Sequence, residues 1–351
     1  MVKRSKHYIA TPPGATIKEQ LEDRGMTQKE FAKRMDMSEK HISKLINGET
    51  QLTAKTANKL EMVLGVPAHF WNNLEAIYRE KLEKVEEENS LDEEKNIAKL
   101  FPYNEMAKSN WVAPAKRIEE KVIGLRKFFE ISDLKMLGNR SLLPKVAFRR
   151  LGDSVKSEYA SFAWAQAAKI QARERIVSAQ NYTKLANSIS QIRAMTTVEP
   201  EIFCQQLVNV LADCGVAIVF LPHLKGSYLH GASFIDNNKI VLGVTVRGKD
   251  ADKFWFSLFH ELGHILLGHL NLDEITADEE SAADDYAKEC LIPTAPFENF
   301  VSNNNFDEVS VRRFAKTVGV DVGIVVGRLQ KEEYISFNSL NHLKTQYTII
   351  Q

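Results

Sequence analysis

The stretch "FWFSLFHELGHILLGHL" at 254–270 places His260, Glu261 and His264 inside one of the most apolar segments of the chain. A helix turns by about 100° per residue, so residues four apart lie on nearly the same face, about 6 Å apart along the axis. The imidazoles of His260 and His264 can therefore point to one spot. Apolar residues cover most of the circumference, which predicts a buried helix. Burying polar groups without partners costs free energy. A bound divalent metal would offset this cost for all three residues.

The spacing H-E-x-x-H has a chemical interpretation, in which two histidines bind zinc and the glutamate between them acts as a general base. The context supports it, since a strand-like run precedes the segment and an acidic helix follows it. We therefore predict that His260 and His264 bind Zn2+ and that Glu261 is the catalytic base. Two alternatives stay open: core histidines that are satisfied without a metal, and a Glu261 that serves merely as a hydrogen-bond acceptor.

The segment "ADEESAADDYAKECLIP" at 277–293 is expected to supply the third protein ligand of a catalytic zinc site. We predict Glu280 for this role, because the small residues 281–283 would let this helix pack closely against the metal-binding helix. Asp284, one turn further on, is predicted to hydrogen-bond a ligand histidine and to fix its tautomer. Glu279 is the alternative ligand. The remaining acidic residues are expected at the solvated surface: Asp278, Asp285 and Glu289.

The helices and strands that would position these residues can be read from the sequence pattern, which predicts an α+β fold that is mainly α. The runs "VAIVFLP" and "KIVLGVTV" have strand length and many β-branched residues, and "GASFI" followed by "DNN" predicts a hairpin. A helix over about 277–291 should stop before Pro293, and two more helices are expected within 306–330. Residues 91–200 have helical spacing, with Tyr159, Phe162 and Trp164 expected in a core.

These segments together resemble the ImmA/IrrE family of zinc metallopeptidases. The resemblance covers about 200–340, including "IVLGVTVRGKDADKFWF" upstream of the histidines and "VRRFAKTVGVDVGIVVGRLQ" downstream. It implies a zincin-like peptidase domain with a small sheet at 201–351, after a helical connector at 89–200. Many members have a second glutamate where this chain has Ala282, which favours Glu280 as the ligand. The implied reaction is hydrolysis, in which Glu261 takes a proton from the zinc-bound water and passes it to the leaving amine.

Two further parts of this site are left open by the sequence. A donor for the developing oxyanion is needed, and Tyr228, His230 and Arg247 are the candidates near enough in sequence. The "IVLGVTV" strand either pairs with an extended peptide by strand addition or is a plain core strand.

The amino-terminal segment 26–60 has the capping and packing signals of short helices joined by turns. Thr27 is a predicted N-cap with Glu30 as its capping-box partner, and Ser38 is predicted to cap the next helix. Ile42, Leu45 and Ile46 would pack that second helix back onto the first, which leaves its other face outward. A five-helix domain is expected over residues 1–88.

This segment resembles the Xre (lambda-repressor-like) helix-turn-helix, and in particular HigA-type antitoxins. The resemblance implies that the second helix of the motif reads the major groove of double-stranded operator DNA and that neighbouring residues reach phosphates. The residues expected to contact DNA are Gln28, Ser38, Glu39, Lys40, Ser43, Lys44 and Asn47.

A second segment, "VRRFAKTVGVDVGIVVGRL" at 311–329, also has helix-turn-helix spacing, with Ala315, Gly319 and Val325 in the expected places. It is either a second DNA-reading motif or, as in the peptidase family it resembles, a part of the peptidase domain. Its basic residues would be Arg312, Arg313, Lys316 and Arg328.

Composition limits the remaining possibilities. The formal net charge is +0, but residues 1–60 contain 12 Lys and Arg against 7 Asp and Glu, a balance compatible with nucleic acid. The three cysteines form no C-x-x-C pair, so we expect a reducing cytoplasm. The start lacks the apolar core of a secretory signal, and no uncharged apolar stretch reaches the roughly 18 residues of a membrane span.

The sequence therefore predicts a cytoplasmic, antitoxin-like transcriptional regulator fused to a zinc-dependent peptidase. The regulator is expected to act as a homodimer on a palindromic operator, and the peptidase to cleave a protein, for which a repressor is one candidate. A cognate toxin is the other expected protein partner. The alternative is a non-catalytic antitoxin or autorepressor in which zinc is structural or sensory.

Overall fold

A computed structural model of the 351-residue chain describes residues 2–138, 155–227, 229–246, 249–272 and 275–348. The chain divides into two compact units, a first unit of Met1–Asn96 and a second unit of Ile97–Gln351. Residue 89, where the helical connector was expected to begin, lies inside a continuous helix. The helices expected in a connector belong, from Ile97 onward, to the second unit.

The first unit begins with a short hairpin, and the five predicted helices follow it. The hairpin pairs β1 (Lys3–Arg4) with β2 (Ile9–Ala10). The helices are α1 (Gly14–Asp23), α2 (Gln28–Arg34), α3 (Glu39–Ile46), α4 (Ala54–Leu64) and α5 (Ala68–Ala98).

Side-chain caps begin three of these helices. The hydroxyl of Thr27 accepts a hydrogen bond from the N–H of Glu30 at 3.1 Å, and that of Ser38 accepts one from the N–H of His41 at 3.2 Å. Thr53 caps α4 in the same way. Each cap satisfies an N–H that has no partner within its helix, and the apolar faces then enclose a core around Phe31, which is fully buried.

The described residues of the second unit form a three-stranded sheet and ten α-helices. Its strands are β3 (Val216–Phe220), β4 (Gly231–Asp236) and β5 (Lys239–Val244). The helices before the sheet are α6 (Tyr103–Lys108), α7 (Ile118–Phe129), α8 (Val155–Arg173), α9 (Tyr182–Ala194) and α10 (Pro200–Ala212). Those after it are α11 (Ala251–Leu266), α12 (Ala277–Leu291), α13 (Thr294–Ser302), α14 (Glu308–Val318) and α15 (Val322–Lys331). No described helix is both long and apolar enough to cross a bilayer.

The strand order β3-β5-β4 makes β5 the central strand of the sheet. Leu242 of β5 lies opposite Ile218 of parallel β3 and opposite Ser233 of antiparallel β4. The predicted hairpin is therefore confirmed, and its turn passes through Asn237 with a φ of 53°, a left-handed conformation that Asn tolerates. Because β5 has a partner on both sides, it is a core strand, and the alternative in which it pairs with a substrate peptide is excluded.

Helices cover both faces of this sheet, which explains why its strands are apolar runs rather than alternating ones. Leu242 and Val244 face the core that contains α11. Gly243 faces α8, where the ring of Trp164 lies so close that a Cβ on residue 243 would be 2.7 Å from it. Trp164 is fully buried, and its indole N–H donates to the carbonyl of Pro222 at 3.2 Å. The sequence prediction that Trp164 belongs to the core is confirmed.

Replacing Gly243 with alanine should destabilise the second unit, because the fully buried ring of Trp164 has no room to move aside. We expect the free energy of unfolding to fall by about 1–3 kcal/mol, as for other overpacked cores. Urea unfolding of the full chain, followed by tryptophan fluorescence, measures this change. An unchanged unfolding midpoint would mean that α8 does not press on the sheet at this position.

Candidate metal centre and DNA-contacting helix

Helix α11 runs through the core of the second unit, as the apolar circumference of its sequence predicted. His260, Glu261 and His264 are all buried, with relative exposures of 6%, 7% and 1%. The start of the helix is fixed by the chain end, since the indole N–H of Trp255 donates to the hydroxyl of Tyr347 at 3.1 Å. These polar side chains therefore have little solvent-exposed surface.

Helix α12 packs directly on α11 and brings Glu280 to the two histidines. The Nε2 atoms of His260 and His264 are 3.0 Å apart. The carboxylate oxygens of Glu280 lie 3.4 Å from Nε2 of His260 and 3.5 Å from Nε2 of His264. Gly263 makes this close approach possible, because a Cβ there would be 3.3 Å from the backbone of the fully buried Ala283.

The three side chains fit a tetrahedral zinc ion in both chemistry and spacing. Two imidazole nitrogens and a carboxylate oxygen form a usual donor set for catalytic zinc, with bonds of about 2.0–2.1 Å. Donors at that distance in a tetrahedron are about 3.3 Å from one another, close to the 3.0–3.5 Å separations observed here. The ligand atoms of His260, His264 and Glu280 all lie within 4.8 Å of one another.

The other acidic residues of α12 have different positions. Asp284 reaches Nδ1 of His260 at 2.7 Å, on the side of the ring away from Glu280. Glu279 accepts hydrogen bonds from the N–H and the hydroxyl of Thr276, so the alternative ligand is engaged in capping α12. Asp278 and Asp285 are exposed. Glu289 is exposed as well, and it accepts hydrogen bonds from Thr294 at the start of α13.

The carboxylates around His260 change its acidity. Burial by itself would lower the pKa of His260, but hydrogen bonds to Asp284 and Glu280 and the charge of Glu261 outweigh it and raise the pKa to about 9. Without a metal, the imidazole thus carries the positive charge that these carboxylates balance at neutral pH. A divalent cation would take over this balancing role when His260 becomes neutral.

Glu261 lies against strand β4. The hydroxyl of Ser233 donates to one oxygen of Glu261 at 2.7 Å. Gly231 leaves space for the same side chain, since a Cβ at residue 231 would be 2.8 Å from Cγ of Glu261. The carboxylate is therefore hydrogen-bonded by a hydroxyl of β4, and a glycine of the same strand leaves space for the side chain.

A cavity of about 680 Å3 opens beside His260 and Glu261, a volume within the usual range for ligand sites. It is bounded by α11, α12, α15 and the segment that follows α15, and its wall mixes apolar with charged side chains: Phe256, Asp284, Lys288, Ile292, Ile324 and Arg328. Of the oxyanion candidates, His230 lies in the cavity wall. Tyr228 and Arg247 lie outside the described residues.

Helix α3 of the first unit presents the outward face that the sequence predicted. Ile42 and Leu45 are buried in the core, and Ile46 is partly buried against it. Six of the seven residues expected to contact DNA are exposed: Gln28, Ser38, Glu39, Lys40, Ser43 and Lys44. Asn47, the seventh, is half-buried at the carboxyl end of α3, where its backbone N–H closes the last turn.

The second segment with helix-turn-helix spacing packs into the core of the second unit. Val325 of α15 is fully buried, and Ala315 of α14 is nearly so. Arg328 lies with its guanidinium 3.9 Å from the centroid of the Phe297 ring and pairs with Glu332 at 2.8 Å. Helix α15 is thus a wall of the cavity rather than a free reading helix, as the resemblance to the peptidase family implied.

Two residues of the site were missed by the sequence analysis. Ser233 contacts Glu261 from a strand 28 positions earlier, and spacing carries no signal for such a contact. His269 lies with its Nδ1 2.9 Å from Nδ1 of His264. The "GH" at 268–269 was a usable signal, because a glycine directly after a helix is a common left-handed stop that redirects the chain.

The comparisons with known proteins agree with this division. The family described as "Helix-turn-helix" matches residues 17–71, and the one described as "IrrE N-terminal-like domain" matches residues 213–330. The uncharacterized HTH-type transcriptional regulator YddM of Escherichia coli (strain K12) is 35% identical over 63 residues, which are 18% of this chain and 67% of that protein. The chain belongs to the helix-turn-helix family and combines that domain with a peptidase-like domain. The first implies binding to DNA, and the second implies a protein substrate.

Zinc binding should be strongly pH-dependent, because the ion must displace the proton that His260 holds with a pKa of about 9. We expect the apparent zinc affinity of the metal-free protein to rise about tenfold per pH unit from about pH 7 to pH 9 and then to level off. Chelator competition at a series of pH values measures this dependence. The variant Asp284→Asn removes a hydrogen bond that raises this pKa, so its plateau should begin at a lower pH. A pH-independent affinity in the natural protein would contradict the assignment of His260.

Proposed function

We propose that this protein is a DNA-binding transcriptional regulator whose second unit is a zinc-dependent endopeptidase. The observation that carries the proposal is the buried trio of His260, His264 and Glu280, with Glu261 beside it at the wall of an open cavity. A purely structural zinc site is normally closed by four protein ligands, whereas a catalytic site keeps one position open. Among the described residues, three side chains converge here.

In this proposal each residue around the ion has one task. A zinc ion held by His260, His264 and Glu280 would supply acidity, since zinc lowers the pKa of a bound water to about 7. Asp284 accepts a hydrogen bond from the Nδ1–H of His260, which keeps the proton on Nδ1 and leaves the Nε2 lone pair for the metal. Glu261 takes the proton of the attacking water and returns it to the leaving amine. Ser233 donates to one oxygen of Glu261, so the other oxygen is the one that carries the proton.

The start of β4 offers a place for the substrate backbone, because Gly231 is half-buried and lies in the cavity wall, whereas Ser233 is fully buried. The N–H of Thr245 donates to the carbonyl of His230, so the strand pairing directs the backbone groups of Gly231, Ser233 and Ile235 away from β5. Within the described part of the chain, β4 pairs with β5 alone. The edge also passes Glu261, which both Gly231 and Ser233 approach. We propose that an extended segment of a protein substrate pairs with the backbone of Gly231, where this edge reaches the cavity.

For the first unit we propose a homodimer in which α3 enters the major groove of each half of a palindromic operator. The exposed Lys40, Ser43 and Lys44 are the base-reading candidates, while Gln28 and Asn47 are assigned to phosphates. The HigA-type, antitoxin-like role with a toxin as partner is the finer form of this proposal. Cleavage of a repressor would connect the two activities, because it removes a protein that acts on the same kind of DNA site.

The variant Glu261→Gln should bind zinc normally and lose cleavage by a factor of about 100 to 10,000, the usual contribution of a general base. Metal content is measured on the purified full chain. Cleavage is measured as new peptide amino termini in cells that produce either protein. The exposed Glu298→Gln serves as the control in the same unit. If the natural chain and Glu261→Gln produce the same new termini, the peptidase is excluded, and a regulator with structural or sensory zinc accounts for the site.

The variant Lys44→Ala should weaken binding to an operator selected from a random DNA pool by about 1–3 kcal/mol, as expected for a residue that contacts bases. The matched control is Lys81→Ala, since Lys81 is exposed on α5 of the same unit. Binding is measured by fluorescence anisotropy at fixed salt. Equal losses in the two variants would show that α3 contributes general charge rather than recognition.

A further inference from the structure

We infer that His269 is a positioning residue for the metal ligand His264 and that it acts as a neutral hydrogen-bond acceptor. The inference rests on the proposed zinc site and adds a member that neither the H-E-x-x-H spacing nor the acidic helix contains. His269 is buried, with 8% of its surface exposed, and it follows the last turn of α11.

The geometry assigns opposite tasks to the two nitrogens of His264. Its Nε2 faces Nε2 of His260 at 3.0 Å and Glu280 at 3.5 Å, so this nitrogen points to the metal position. Its Nδ1 lies 2.9 Å from Nδ1 of His269. A ligand histidine offers its lone pair through Nε2 and therefore keeps its proton on Nδ1. That N–H donates to Nδ1 of His269, which must then carry its own proton on Nε2.

The arrangement of the rings supports an acceptor rather than a stacking partner. The centroids of His264 and His269 are 5.1 Å apart, with an angle of 64° between the ring planes. The two rings thus meet edge-on at their Nδ1 atoms. His269 cannot bind the same ion as His264, because it lies on the opposite side of the His264 ring from the nitrogen that faces Glu280.

The backbone is shaped to bring His269 to this position. Helix α11 ends at Leu266, and Gly268 adopts a φ of 80°, which reverses the chain into a short 3-10 turn at His269–Asn271. No neighbouring atom within 4 Å would obstruct a Cβ on Gly268. The glycine is therefore favoured by its left-handed backbone conformation and not by a lack of space. The left-handed residue lets the chain fold back beneath the ligand that lies one turn earlier.

Charge explains why the two ligand histidines have different partners. His260 is held by the carboxylate of Asp284, which is half-exposed and partly solvated. His264 is almost completely buried, and its surroundings already include the carboxylate of Glu280. Another carboxylate at this depth would add an uncompensated buried negative charge. A neutral imidazole provides the same acceptor without that charge.

The isosteric pair His269→Asn and His269→Leu separates hydrogen bonding from packing. The Oδ1 atom of asparagine can take the place of the imidazole Nδ1, whereas leucine has the same shape and no acceptor. Zinc alone is the probe, and its affinity for the metal-free full chain is measured by chelator competition. We expect a 10- to 100-fold loss in His269→Leu, as for other residues that orient metal ligands, and an affinity in His269→Asn close to that of the natural chain.

The controls distinguish the possible failures. His342→Leu removes an exposed histidine of the same unit and should leave zinc affinity unchanged. Melting temperatures of the metal-free variants report packing. Equal affinities of the asparagine and leucine variants, whether both are high or both are low, would overturn the inference. A natural chain that binds no zinc, by contrast, would refute the proposed metal site itself and with it any role in positioning.

Discussion

The burial of a polar cluster inside an apolar core is the constraint on which the second unit depends. His260, Glu261 and His264 lie in the middle of a helix whose neighbours are fully buried leucine and phenylalanine side chains. A buried ionisable group is tolerated when it has partners of the right charge and geometry. Each of these three groups has such a partner in the structure: an aspartate, a serine and a histidine. A bound cation would neutralise the carboxylates that face the shared centre.

The surrounding fold can be understood as support for this cluster. Gly263 and Ala283 let α11 and α12 approach closely enough for Glu280 to reach both histidines. Gly231 lets β4 approach Glu261 from the other side. Helix α8 closes the far face of the sheet, although it precedes the matched peptidase-like segment of 213–330. The unit that folds is therefore larger than the segment that carries the chemistry.

Much of the site was predictable because it depends on local periodicity. The four-residue spacing of His260 and His264 placed both rings on one face, and the same reasoning selected Glu280 and Asp284 on the next helix. Capping signals predicted the start of α2 and α3 with the same precision. These features depend on geometry within one helix, which the sequence determines directly.

The parts that the sequence missed depend on contacts between distant segments. Ser233 reaches Glu261 across the sheet, and His269 depends on a left-handed turn at Gly268. The sequence left open whether β5 is a core strand or pairs with a peptide, and its central position depends on pairing with both β3 and β4. At 311–329 a sequence pattern is present, but the structure gives the segment another role than the pattern suggests. Its helix-turn-helix spacing is present, but the burial of α15 against the cavity gives it a different task.

The central claim is that an ion is held by both imidazoles of α11 together with the carboxylate of α12. Zinc-edge X-ray absorption spectroscopy of the zinc-loaded full chain tests it most directly. The account predicts a four-coordinate ion with two imidazole nitrogens and oxygen donors at about 2.0–2.1 Å. A spectrum with sulfur donors, or with oxygen donors and no imidazole scattering, would contradict it.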